Sequence, residues 1–170
     1  MPVAVLAMNC AKPAPANAVA EPSAVAAALS PIVPPKVGAF SATGDATTST
    51  LPHRVELRRS YASGGKTLSV SLFTGDMEAE HSILGSDAEH AFGSDTPTFW
   101  RTTTVRTFRT RVAEERPTVR TSECYLAVGA AHIAVVRVAP ARAGECAQVA
   151  ALLDLETLAR APTVQAGARR

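Results

Sequence analysis

Lysine is scarce in this sequence: only Lys12, Lys36 and Lys66 occur, and arginine supplies most of the positive charge. With 17 basic residues against 15 acidic ones, the formal net charge is +2. That balance is too even to mark nucleic acid or an acidic membrane as the partner. Long apolar runs are missing as well. None approaches the ~18 residues that a membrane-spanning helix requires. Aromatic residues make up 5% of the chain, so a core has to be built from Val, Leu, Ile and Ala. Hydrophobic residues nevertheless reach 46% against 19% charged, which is enough for a packed domain and excludes global disorder.

Several chemical signatures are absent too. There is no G-x-S-x-G elbow to expose a serine nucleophile. "SGGKT" (63–67) has the tail of a phosphate-binding loop, but Ser60 stands where the first glycine belongs. A strand pattern also follows the lysine where that loop needs a helix, so these residues read as a hairpin turn. No H-E-x-x-H occurs. The acidic stretch 76–95 does hold the pairs Glu80-His81 and Glu89-His90, with no Lys or Arg between Lys66 and Arg101. Imidazole and carboxylate together suit Zn²⁺ or a similar metal. Neighbouring residues on a helix, however, point ~100° apart, so neither pair converges on one ion by itself. The first expectation is a solvated acidic loop with no metal and no cofactor. The alternative is a small metal-dependent hydrolase that uses this segment. No catalytic residue is assigned, and a non-enzymatic chain is the first expectation.

What is present is strong alternation. In "RVELRRSY" (54–61), Val55, Leu57 and Tyr61 point one way; in "TLSVSLF" (67–73), Leu68, Val70 and Leu72 alternate with polar residues. Period two marks half-buried strands, and the glycines between them supply positive φ, so an antiparallel hairpin is expected. "ECYLAVGAAHIAVVRVAP" (123–140) reads as a second hairpin around Gly129, with His132 beside Ala134, Val136 and Val138 on one face. Six arginines lie in 101–120; read as one regular strand, Arg101, Arg109 and Arg111 share a face and Arg106 points the other way. With Phe108 as the one aromatic inside the run, a solvated sheet face is expected here and no nucleic acid.

"GECAQVAALLDLETLARA" (144–161) has apolar residues at helical spacing, with Asp154 placed to cap a last turn. The fold class expected is therefore α+β: an antiparallel sheet of about five or six strands with a C-terminal helix packed on one face. Three cysteines leave one over after any pairing. Cys124 at the open end of the second hairpin can meet Cys146 in the first turn of the helix, within the ~5.5–6 Å Cα separation a disulfide needs. The other possibility is three reduced thiols in a cytosolic protein.

The start of the chain is different in kind. Seven of the twelve prolines fall in the first 35 residues, a density that reads as a semi-rigid tether, within which "SAVAAAL" (23–29) suits a two-turn helix with Ser23 as N-cap and Pro31 as its stop. "PVAVLAM" is a short apolar run, and "ANA" and "AVA" offer small-residue cleavage sites. An apolar run, Cys10 and an Ala/Pro tract resemble the N-terminus of a bacterial lipoprotein over residues 1–35, although Ala7 and Asn9 depart from the residues that family places before its cysteine. The resemblance implies lipid attachment at Cys10 and a cell-envelope location, periplasmic or extracellular. A cytoplasmic chain remains the alternative. The layout expected is a partial signal-like segment at 1–20, a tether at 21–35, a single domain at 36–161 and a flexible tail at 162–170. "PPKVGAF", the Arg- and Tyr-bearing first strand, the second hairpin and "LLDLETLA" are similar to exported bacterial domains of unassigned function. The function expected is a non-catalytic cell-envelope protein that binds an unknown protein or small-molecule partner on its sheet.

Overall fold

A computed structural model describes residues 17–86, 98–115 and 120–165. Its centre is an open, antiparallel sheet of nine strands among the described residues, not a closed barrel. The strands are β1 (Lys36–Val37), β2 (Phe40–Ala42), β3 (Thr47–Leu51), β4 (Arg54–Ser63), β5 (Lys66–Gly75), β6 (Thr98–Val105), β7 (Phe108–Glu115), β8 (Ser122–Val128) and β9 (His132–Ala139). Their order is β1-β2-β4-β5-β9-β8-β7-β6, and β3 also pairs with β4, beyond the end of β2. Among the described residues four α-helices punctuate it, α1 (Pro22–Leu29), α2 (Glu78–Gly85), α3 (Glu145–Ala150) and α4 (Leu155–Arg160), with a 3-10 turn, Ser30–Ile32, after α1.

Both hairpins read from alternation are present. β4 and β5 pair from Arg54↔Gly75 to Ser63↔Lys66, turning through Gly64 and Gly65 at φ 52° and 78°. Two consecutive positive φ values define the tight turn whose twist matches that of the flanking strands. β8 and β9 pair from Ser122↔Val138 to Val128↔His132. The unexpected adjacency is β5 beside β9, with Leu68↔Val138 and Leu72↔Ala134, which fuses the two hairpins into one sheet.

Register then decides the faces. Leu57, Leu72, Ala134, Leu126 and their neighbours lie on one buried face, and with Val25 and Leu29 of α1, Val149 of α3 and Leu155 and Leu158 of α4 they form the main core cluster. A smaller cluster lies on the opposite face, where Met77 and Leu84 meet Phe73 and Ile133. Residues i and i+2 of a strand share a face, so the open part of that second face carries the alternate, polar residues.

Several expectations are corrected. The sheet has nine strands where five or six were expected, because β1 and β2 are only two and three residues long and β3 is exposed at every position. The single helix expected over 144–161 is two short helices. Asp154 ends the apolar stripe by accepting the Thr157 N–H at 3.0 Å, which starts α4 as a new helix. Part of the presumed tether is folded: α1 begins with Pro22 at its first position, and Val25, Leu29, Ile32 and Val33 are buried. Proline is tolerated there because the first N–H groups of a helix have no intrahelical acceptor. The arginine-rich run is not one strand. It folds back at Arg106, whose φ of 55° belongs to the turn between β6 and β7. Arg101 stands opposite Val112 while Arg111 stands opposite Thr102, so Arg101 faces away from Arg109 and Arg111.

Candidate ligand-binding face

The second face of the sheet is only partly covered. α2 lies over one end, held by Arg54. The Arg54 guanidinium grips the Glu80 carboxylate through two bonds, 2.7 and 3.1 Å, and donates to the Asp76 carbonyl at 2.9 Å. It also sits 4.7 Å from the centre of the Phe73 ring. Bidentate guanidinium–carboxylate pairing is the strongest common side-chain hydrogen bond, so this pair fixes the helix against the sheet. The bond to Glu80 raises the Arg54 pKa above its ordinary value. Burial works most strongly against the Glu80 charge, yet the bond from Arg54, a backbone hydrogen bond and the Arg54 charge together outweigh it and hold that carboxyl below the usual range.

Beyond α2 the face opens into a hollow of about 250 Å³ between Phe73, Glu80, Tyr125 and Arg137. It adjoins a second hollow of about 350 Å³ that runs past Thr43, Ser60 and Thr67. Arg58, Ser69 and Arg137 line both. Two cross-strand rows form the floor. One runs Arg58↔Ser71↔Val135↔Tyr125↔Arg111, from β4 to β7. The other runs Ser60↔Ser69↔Arg137↔Glu123↔Ala113↔Trp100, from β4 to β6.

The side chains on these rows support one another. Arg58 Nε donates to Ser69 Oγ at 3.1 Å. The Tyr125 hydroxyl donates to Glu123 at 2.6 Å, and burial together with that carboxylate pushes the phenol pKa up. Tyr125 therefore stays a neutral donor at all ordinary pH. Its ring stands 5.9 Å from that of Trp100, and the Arg111 guanidinium lies 5.6 Å from the Trp100 ring centre. Arg137 Nε is 3.9 Å from Glu123 Oε2, a loose ion pair and too long for a hydrogen bond. A third hollow, of about 390 Å³, lies at the turn 51–54 against the start of α2. Its cationic and imidazole groups are engaged, Arg54 as above and His53 with the Gln165 carbonyl at 3.1 Å, and Asp76 and Glu78 complete its polar lining.

The residues singled out in the sequence fall elsewhere. Cys124 and Cys146 are joined as a disulfide, both fully buried, on the covered side of the sheet. Cys10 lies outside the described residues. Of the metal-binding candidates, Glu80 is committed to Arg54 and His81 is exposed, while Glu89 and His90 lie outside the described residues. Among the described residues no group of three His, Cys, Asp or Glu is placed to hold a metal ion. His132 is buried on the core face, its Nε2 3.0 Å from the Ala161 carbonyl oxygen and 3.2 Å from Asn17 Nδ2. Burial lowers its pKa against the opposing pull of that carbonyl.

Arg58, Ser69, Tyr125 and Arg137 carried no functional mark in the sequence. Their outward orientation was legible from alternation, but their meeting depends on β5 lying beside β9, which no local pattern encodes.

The molecule is thus an open antiparallel sheet with short helices and a polar hollow on one face. Among the described residues no helix is long and apolar enough to cross a membrane. No protein-family model matches the sequence, and no curated protein or solved structure matches it either.

Proposed function

We propose that this chain is a non-catalytic binding domain of the cell envelope, tethered or secreted, whose ligand occupies the paired hollows on the open sheet face. One observation carries the reading. Arg58 and Arg137 line both hollows, and among the described residues neither places a terminal guanidinium nitrogen in a hydrogen bond. Each is positioned through Nε, by Ser69 or beside Glu123, so its terminal nitrogens remain for a ligand in the concavity, where a few placed polar groups fix orientation. The disulfide supports an oxidising compartment, since such bonds persist outside the reducing cytosol. Cys10, in its apolar and Ala/Pro-rich setting, is the proposed point of lipid attachment.

The test uses Ser69→Trp, which fills the space between Arg58 and Arg137 from a half-buried position and leaves the core untouched. Wild type and variant are screened for binding to neutral and acidic oligosaccharides, acidic peptides and phosphate esters. The expected result is a ligand bound by wild type and lost in Ser69→Trp at unchanged melting temperature. Binding that survives the substitution, or no binding to any of these, contradicts the reading. Intact mass of the chain from its host tests the location: a diacylglycerol-sized increment on Cys10, or cleavage after Ala18 or Ala20, supports it. A full-length unmodified chain contradicts it.

A further inference from the structure

We infer that the paired hollows take an acidic oligosaccharide, a glycan whose sugar units carry single, separated carboxylates; this rests on the binding reading above. Arg58 on β4 and Arg137 on β9 flank β5 from opposite sides. Arg58 stands opposite Ser71 and Arg137 opposite Ser69, and both arginines line the same hollow as these two serines. The bond from Arg58 Nε to Ser69 Oγ turns that guanidinium toward the row of Arg137. Two planar cations directed over one concavity match a carboxylate, which each can grip with two parallel N–H bonds.

The same hollow also carries Glu80, neutralised by its pairing with Arg54, and two further carboxylates, Glu56 and Glu123. These carboxylates repel a continuous polyanion, so nucleic acid and polyphosphate fit poorly. They accept hydrogen bonds from neutral hydroxyl groups, as Glu123 already does from Tyr125. The ligand that satisfies both sets of groups has isolated negative charges separated by hydroxyls. Tyr125, backed by Trp100, adds an aromatic surface on which the C–H face of a sugar ring can lie.

An acidic peptide would offer carboxylates too, but its backbone would need partners. Peptides in extended form find them at a free sheet edge. β4, β5, β9 and β8 are all internal, each paired on both sides, so the hollow has no such edge. A saccharide has no backbone amides that must be matched in a ladder. The two adjoining hollows, about 250 and 350 Å³, also suit a ligand of more than one ring.

Calorimetric titration of the full chain with a four-unit oligouronate tests the inference, alongside its carboxyl-reduced neutral counterpart and a tetraglutamate peptide. The oligouronate is expected to bind, more weakly as salt rises, because exposed charges are screened. Arg58→Gln and Arg137→Gln are each expected to weaken it about tenfold or more, the loss of a charge-assisted pair. Melting temperatures of both variants should match wild type. Equal binding of the neutral sugar, equal binding of the peptide with the same arginine dependence, or oligouronate binding indifferent to both substitutions overturns the inference. If the oligouronate fails while another ligand is lost in Ser69→Trp, the saccharide class falls and the binding reading stands. If nothing bound is sensitive to Ser69→Trp, both fall.

Discussion

Cys124 of β8 and Cys146 of α3 form a disulfide with their Cα atoms 5.7 Å apart, across a sequence separation of 22. Around it, Ser122 Oγ accepts the Cys146 N–H at 3.3 Å and donates to Glu114 at 3.2 Å, and Glu114 also accepts the Gly144 N–H at 2.5 Å. The bond and this polar chain hold the start of α3 to the sheet. Closing a loop of this length removes about 3 kcal/mol of unfolded-chain entropy. Replacing both cysteines with alanine should therefore lower the urea midpoint by the equivalent of about 3 kcal/mol. In the unprocessed recombinant chain, thiol titration after unfolding without reductant should find one thiol, that of Cys10. Three thiols and an unchanged midpoint on reduction contradict this.

Arg54→Ala should loosen α2 while leaving the main core intact. Glu80 is mostly buried and would lose its cation, a cost of about 1–2 kcal/mol once partial solvent screening is allowed for. Amide exchange in 78–85 should rise while that in β8 and β9 stays slow. The same pair sets an acid limit. The folded Glu80 pKa lies below its unfolded value, so its contribution is complete above the ordinary carboxylate range and is lost as pH falls through the folded pKa. Glu80→Gln should flatten that acid limb.

His132 supplies a separate window at higher pH. Its folded pKa is depressed by burial, so the unfolded chain binds the proton more readily. Stability from this group is full above its unfolded pKa of about 6.5 and declines as pH falls below that value toward the folded pKa. His132→Gln should remove the slope of stability against pH that begins just below about 6.5 and leave the Glu80 limb in place. An unaltered slope would mean that His132 is protonated equally in both states.

Leu29→Ala tests whether α1 belongs to the fold. Leu29 is fully buried in the main cluster, and truncating such a side chain costs about 2–5 kcal/mol. A chain unaffected by the change would return 21–35 to the tether expected from its composition.

These contrasts mark what was legible in the residues themselves. β4, β5, β8 and β9 were readable because each keeps a continuous dry face toward the core, and a period of two records that directly even where α2 also covers Phe73 and Ile133 on the other side. β3 was not: Thr47–Leu51 is exposed throughout, so no alternation exists to find, and the strand forms because β4 offers an edge beyond β2. α1 was legible as a short helix over 23–29 stopped by Pro31, but its cap is Glu21 with Pro22 as the first helical residue, not Ser23, and the proline-dense setting hid that Val25 and Leu29 pack into the core. The cysteine pair could be anticipated because both partners sit at element ends that the hairpin brings together. The candidate site could not, because Arg58 and Arg137 lie 79 positions apart in the sequence, by their numbering, and meet only across β5.

The central claim is that the open sheet face, and not the helices or the covered face, receives the ligand. Amide chemical-shift mapping of the labelled chain during titration with the oligouronate tests it most directly. The account predicts shifts concentrated at 56–58, 69–71, 123–125 and 135–137, with α1, α3 and α4 unmoved. Shifts centred on those helices or on the turn 51–54, with 69–71 and 135–137 silent, would contradict it.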